Sequence, residues 1–222
     1  MEGRRGKQGE PMIKLTKLTH SCFYINDGNK YVLVDPGVFS SQHGSLSIDK
    51  IDRLDAIAIT HEHMDHCDPL FIKELLRKFP NAQVVTNPGV KKVLEDAGVE
   101  IDYAESNDYI EPFEAPHENV DVISVTPQNR GYHIFNKVTT PGDSHSFNET
   151  KEVLAMPFIA PWGTIIQGTK HAIDLRPKKV FSVHDWFFSD GGKGWLKDRL
   201  VPALGDQGIE FLDLKDDQPV DL

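Results

Sequence analysis

The chain has 222 residues, with 34 Asp and Glu against 24 Lys and Arg, so its formal net charge is −10. At this length 39% hydrophobic residues supply a sizeable core, which excludes whole-chain disorder, collagen and coiled coil. The acidic balance argues against a broad nucleic-acid footprint, no apolar run approaches the roughly 18–20 residues of a membrane span, and two cysteines, Cys22 and Cys67, cannot build a disulfide framework.

Residues 1–11 are Gly-rich and charged. They predict a flexible tail without a secretory signal, with Met12 as an alternative start and 12–222 as a single domain. Residues 13–35 read as a strand meander: IKLTKLTH alternates, SCFYI is β-rich, Asp27-Gly28-Asn29 turns the chain, and YVLV runs into Asp35-Pro36-Gly37. DAIAIT (55–60) is a short apolar strand suited to burial on both faces. Asp68-Pro69 predicts an N-cap followed by proline at the first helical position. The stripe Phe71, Ile72, Leu75, Leu76, Phe79 then runs to Pro80. AQVVTN (82–87) predicts a strand, and a helix follows over 88–97 with its stop at Gly98.

The middle, 100–142, reads as β with turns: DYIEPFEA, NVDVISV, RGYHIF and NKVTT. Further strands are expected at 152–158, 179–184 and 209–214, the last of these closing the fold, with helices over 163–175 and 191–203. Strands interleaved with helices and no linker at the middle predict a layered α/β or α+β domain, open to division into two similar halves.

The chemistry concentrates in THEHMDHCDP, which carries His61, His63, Asp65 and His66 between a short apolar strand and a capped helix. In an extended turn alternate residues point the same way, so His61 and His63 can share one metal. Asp65 and His66, where the chain turns into the helix, can face a second. Imidazole with carboxylate suits Zn, Mn or Fe. More distant ligand candidates are His117 in EAPHEN, Asp143 in TPGDSH and His184 at the end of an apolar strand.

This arrangement resembles the metallo-β-lactamase fold superfamily of metal-dependent hydrolases. VLVDPG (32–37), HEHMDH (61–66), a middle histidine, PGDS (141–144) and a strand-end His184 follow in that family's order. The early THSCF, with His20, is similar to the branch that includes L-ascorbate 6-phosphate lactonase. The resemblance implies a four-layer αββα sandwich with its metals at one edge between the sheets. It implies two divalent ions, zinc foremost, with Mn or Fe open. His61, His63 and His117 would hold the first ion, Asp65, His66 and His184 the second, and Asp143 would bridge them. His133 and His145 compete with His117 for its place. Asp35 would orient a ligand histidine, and His20 would lie near the ions as a substrate contact or extra ligand.

The implied chemistry is attack on a carbonyl or phosphoryl centre by hydroxide made at the two ions. Asp65 is then a ligand or returns a proton to the leaving group. The expected substrate is a small cytoplasmic molecule, a lactone, other ester or phosphodiester. Neither nucleic acid nor membrane is expected as a partner, and the oligomeric state stays open. A nuclease or RNA-processing phosphodiesterase and a non-catalytic metal-binding domain are the competing readings. Trp162 is expected in the core rather than on a pocket wall. Trp186, Phe187 and Phe188 are expected in the core or at a pocket rim, and Cys67 in the core beneath the site.

Overall fold

The computed structural model describes residues 12–44 and 46–222, so the expected tail at 1–11 lies outside the described residues. The opening meander forms as its alternation requires: β1 (Lys14–Lys17), β2 (Phe23–Asn26) and β3 (Tyr31–Val34) pair antiparallel, with Lys14 opposite Asn26 and Phe23 opposite Val34. Asp27 closes the hairpin by accepting from the backbone N–H groups of Asn29 and Lys30. The chain then crosses over in parallel through β4 (Ala56–Ala58), β5 (Gln83–Val85) and β6 (Tyr103–Ala104). A second sheet follows: β7 (Ile110–Phe113), β8 (Gly131–Ile134), β9 (Val138–Thr140), β10 (Val153–Pro157), β11 (Lys179–Val183) and β12 (Glu210–Phe211). Last comes β13 (Pro219–Asp221), which returns to the first sheet beside β1. The orders are β13-β1-β2-β3-β4-β5-β6 and β12-β11-β10-β9-β8-β7.

Period-2 alternation divides each strand between two cores. Val32 and Val34 face inward, where they join Phe23, Tyr132, Ala155 and Phe181 between the sheets. Leu33 faces outward, with Ile57 and Val84, onto α2 (Pro69–Lys78) and α3 (Pro88–Asp96) through Ile72, Leu75, Val90 and Leu94. On the far side Leu154, Met156 and Val180 pack on α4 (Ile165–Leu175) and α5 (Asp190–Gly205). Three apolar layers between four layers of structure are the αββα sandwich that the sequence implied. The caps are also as read: Asp68 accepts from the N–H groups of Leu70 and Phe71, with Pro69 in the first turn.

Two local readings are corrected, and one short element was not foreseen. NVDVISV is not a strand: Asn119 accepts from the Asp121 N–H, Asp121 takes both the N–H and the hydroxyl of Thr126, and Ile123 and Ser124 donate to the Val120 carbonyl. Side-chain bonds to the backbone thus replace a ladder, and Val122, Ile123 and Val125 stand exposed. The segment 209–214 pairs only at Glu210 and Phe211, and the closing strand is β13. A single helical turn, α1 (Val38–Ser41), follows Gly37.

Candidate metal centre

The site gathers at the carboxyl ends of strands from both sheets. Asp35 follows β3, His61 lies just past β4, Asp143 follows β9 through Pro141-Gly142, and His184 follows β11. The 63–67 turn is held by the N–H groups of His66 and Cys67 donating to the His63 carbonyl. Gly37 makes room for it: a Cβ there would stand 1.9 Å from the Asp65 carbonyl oxygen.

Two clusters result. The ligand atoms of His61, His63 and His117 lie within 4.8 Å of one another, as do those of His20, Asp65, His66 and His184. A third such group, His61, His66 and Asp143, joins them. Asp143 Oδ1 is 3.1 Å from His66 Nε2, while its Oδ2 is 3.1 Å from His184 Nε2 and 3.6 Å from His117 Nε2. Asp65 Oδ2 is 3.5 Å from His184 Nε2 and 3.9 Å from His66 Nε2. The structure therefore brings together every metal-ligand candidate from the sequence, with His117 rather than its competitors. His133 bonds Thr139 and approaches Glu149, and His145 Nε2 bonds the Pro157 carbonyl. Neither belongs to any of the three groups.

The surrounding bonds orient the imidazoles. Asp35 accepts from His66 Nδ1–H at 2.9 Å and from both the N–H and the hydroxyl of Thr60. With its proton on Asp35, the Thr60 oxygen accepts from His61 Nδ1 at 3.1 Å. His117 Nδ1–H donates to the Glu118 carbonyl. These bonds turn Nε2 of all three rings toward the centre, where a bound ion would take its lone pair, the arrangement in which outer hydrogen bonds fix a metal-binding tautomer. His20 differs: its Nδ1 accepts the Trp186 N–H at 3.3 Å, so its Nε2–H points at Asp65 Oδ2, 3.1 Å away.

The donor set fits metal cations. His61 Nε2, His66 Nε2, His117 Nε2, Asp143 Oδ1 and His184 Nδ1 are buried without a hydrogen-bond partner. An unmet buried polar atom costs about 1–3 kcal/mol, and five of the nine such atoms among the described residues belong to the gathered residues.

Electrostatics divide the centre. Burial holds the His61 and His117 imidazoles below their ordinary pKa, and His20 falls to about 4 for the same reason. Burial also works against charge on His66 and His184, but carboxylates outweigh it. Asp143, Asp35 and Asp65 hold His66 well above its ordinary value, and Asp143 and Asp65 raise His184 to about 9. Asp65 and Asp143 are held well below the usual carboxylate range, the neighbouring histidines prevailing over burial.

Trp162 corrects its expected role: its indole N–H donates to Asp143 Oδ2 at 3.0 Å, and its ring lies 6.2 Å from His117 and 5.8 Å from His184. Trp186 and Phe187 form the rim, the first stacked on Phe39 and the second 5.6 Å from His20. Cys67 is buried in the core with α2, as expected. The sequence reading missed Thr60 and Asn129. Asn129 donates to the Ala115 and Pro141 carbonyls and accepts from the Asp143 N–H, so it ties together the segments that carry His117 and Asp143. No spacing rule marks a lone Asn or Thr for such a task.

Residues 14–184 match the beta-lactamase superfamily domain, and the chain belongs to that family. It is 28% identical to Protein Rv0786c of Mycobacterium tuberculosis over 204 residues, covering 85% of this chain and 92% of that one. A UPF0173 metal-dependent hydrolase of Pyrococcus furiosus matches at 40% identity over 55 residues, 25% of this chain and 24% of its own. Among solved structures, the metallo hydrolase Igni18 of Ignicoccus hospitalis shares the fold with a TM-score of 0.69 at 17% identity, over 95% of this chain and 98% of that one.

Proposed function

We propose that this beta-lactamase superfamily member is a metal-dependent hydrolase that holds two divalent ions, zinc foremost, and acts on a small cytoplasmic ester, lactone or phosphodiester. The observation that carries the reading is Asp143, whose two oxygens reach histidines of both clusters. Residues 12–222 form the catalytic unit in this proposal. His61, His63 and His117 hold one ion, Asp65, His66 and His184 the other, and Asp143 is shared. The likeness of THSCF to the ascorbate 6-phosphate lactonase branch supports an ester or lactone. The two unpaired, buried thiols support a reducing compartment.

Two such ions, when bound, lower the pKa of water toward neutrality and stabilise developing negative charge. The chain's own groups do the positioning. Asp35 and Thr60 lock the rings of His66 and His61. Trp162 holds the carboxylate of Asp143. His20, fully buried and donating to Asp65, is a positioning residue that keeps one Asp65 oxygen aimed at His184. Asp65 is a ligand in this proposal, and because the neighbouring histidines hold its carboxyl well below the usual range, the proton for the leaving group comes from water.

The test is elemental analysis of untagged protein purified without chelators. Near two equivalents of metal per chain are expected, with hydrolysis lost on chelation and restored by the ion. Near zero, with no uptake on adding Zn, Mn or Fe, overturns the reading.

A further inference from the structure

Exposed apolar side chains are not scattered evenly over this protein. Among the described residues, eleven large hydrophobics are exposed, and six of them belong to segments bordering the metal centre: Met64, Val122, Ile123, Val125, Trp186 and Phe187. Met64 stands between His63 and Asp65 in the chain. The Val125 carbonyl is 3.4 Å from His63 Nε2, and Val122 and Ile123, 95% and 76% exposed, ride the same turn. Trp186 and Phe187 stand beside His20 and His184. Single exposed hydrophobics need no explanation, but a clustered set marks a binding surface.

The charges agree. Anionic phosphate groups are held by Arg and Lys where proteins recognise them. The ion pairs of Asp65 and Asp143 are all to imidazoles. Lys17 and Lys193, beside the site in sequence or space, are turned onto Asp185.

We infer that the substrate is a neutral carboxylic ester whose apolar acyl chain lies on this rim, and not a phosphodiester; the inference rests on the hydrolase reading. Val125 of the rim adjoins His63, and the proposal places the acyl chain there. The oxygen of water bonds to the acyl carbon, the bond from that carbon to the alcohol oxygen breaks, the leaving alcohol oxygen takes one proton of the water, and the other is released as the carboxylic acid ionises. No oxidant or reductant is needed.

The experiment uses the ion-loaded full chain and two readouts. Calorimetry with the product-like acetate, butanoate and octanoate should show octanoate binding about tenfold tighter than butanoate, for four extra methylenes partly removed from water. The double variant Val122→Ser/Ile123→Ser, at positions too exposed to support the core, should erase that gradient while its melting temperature holds. In rate assays p-nitrophenyl octanoate should exceed p-nitrophenyl acetate about tenfold in kcat/KM, with bis(p-nitrophenyl) phosphate slower than both. A flat chain-length series, or a faster phosphodiester, overturns the inference. So does a flat series accompanied by phosphatidylcholine-vesicle binding, or by a dimer that the double variant abolishes, because the rim then serves a membrane or a second copy. Octanoate binding without ion-dependent hydrolysis of any ester would sink the hydrolase reading and leave the acyl site standing. Hydrolysis of the acetate ester with no gradient would do the reverse.

Discussion

The two halves of the metal centre are built from the same imidazoles but are electrostatic opposites. His61, His63 and His117 form an all-imidazole group in which burial keeps His61 and His117 neutral. His66 and His184 sit among Asp35, Asp65 and Asp143, which raise both above the ordinary imidazole range although burial opposes it. Neutral imidazole can take a cation at once, whereas a protonated one must first release its proton. The carboxylates that would balance an ion's charge are balanced by protons in its absence. In the proposed two-ion centre this difference implies an order of filling: the imidazole half would take its ion first, and the carboxylate half would exchange protons for its own.

The two halves share Asp143, and its loss carries the largest expected effect. Asp143→Ala should lower hydrolysis by more than the ~100-fold that outer partners cost, and should reduce metal content below two per chain. Unchanged metal content would show that the halves do not depend on Asp143. The next effect is pH. His184 is raised to about 9 by Asp143 and Asp65, although burial opposes it. Its proton therefore stabilises the ion-free fold fully below the ordinary imidazole value, and this contribution is lost as pH rises through about 9. Ion binding at this half should accordingly weaken as pH falls below about 9, by about tenfold per unit for each proton displaced. Binding at the imidazole half should stay nearly level down to neutrality. Calorimetry in buffers of different ionisation enthalpy counts the protons, and equal release from both halves would refute the distinction.

Asp35→Asn sharpens it further. The loss of the carboxylate behind His66 should weaken the carboxylate half by roughly 10–100-fold, with a smaller change where His61 leans on Thr60. Competition with a chelator of known affinity measures each step. Smallest is Trp162→Phe, which keeps the ring but removes one donor to a charged acceptor. A loss of about tenfold in kcat is expected, in line with the ~1.5–3 kcal/mol of such bonds.

The features legible in the sequence were those encoded within a few residues. His61, His63, Asp65 and His66 stand on one strand-to-helix junction, and Asp68-Pro69 states where the helix begins. Inner and outer faces of β3 and β10 follow from alternation alone. NVDVISV misleads because it alternates like a strand while Asn119 and Asp121 offer the backbone other partners. β13 escaped notice because a three-residue strand in an acidic segment has almost no apolar signal.

By itself the sequence determined the layered fold, the helix starts and the local half of the metal centre, because hydrophobic period, capping and ligand spacing are short-range properties. Only the tertiary structure decided that His117, not His133 or His145, joins His61 and His63, that Trp162 serves Asp143, and that apolar side chains from separate loops share one rim. Each depends on where strands from two different sheets end in space. That is fixed by packing between layers, which no local spacing records.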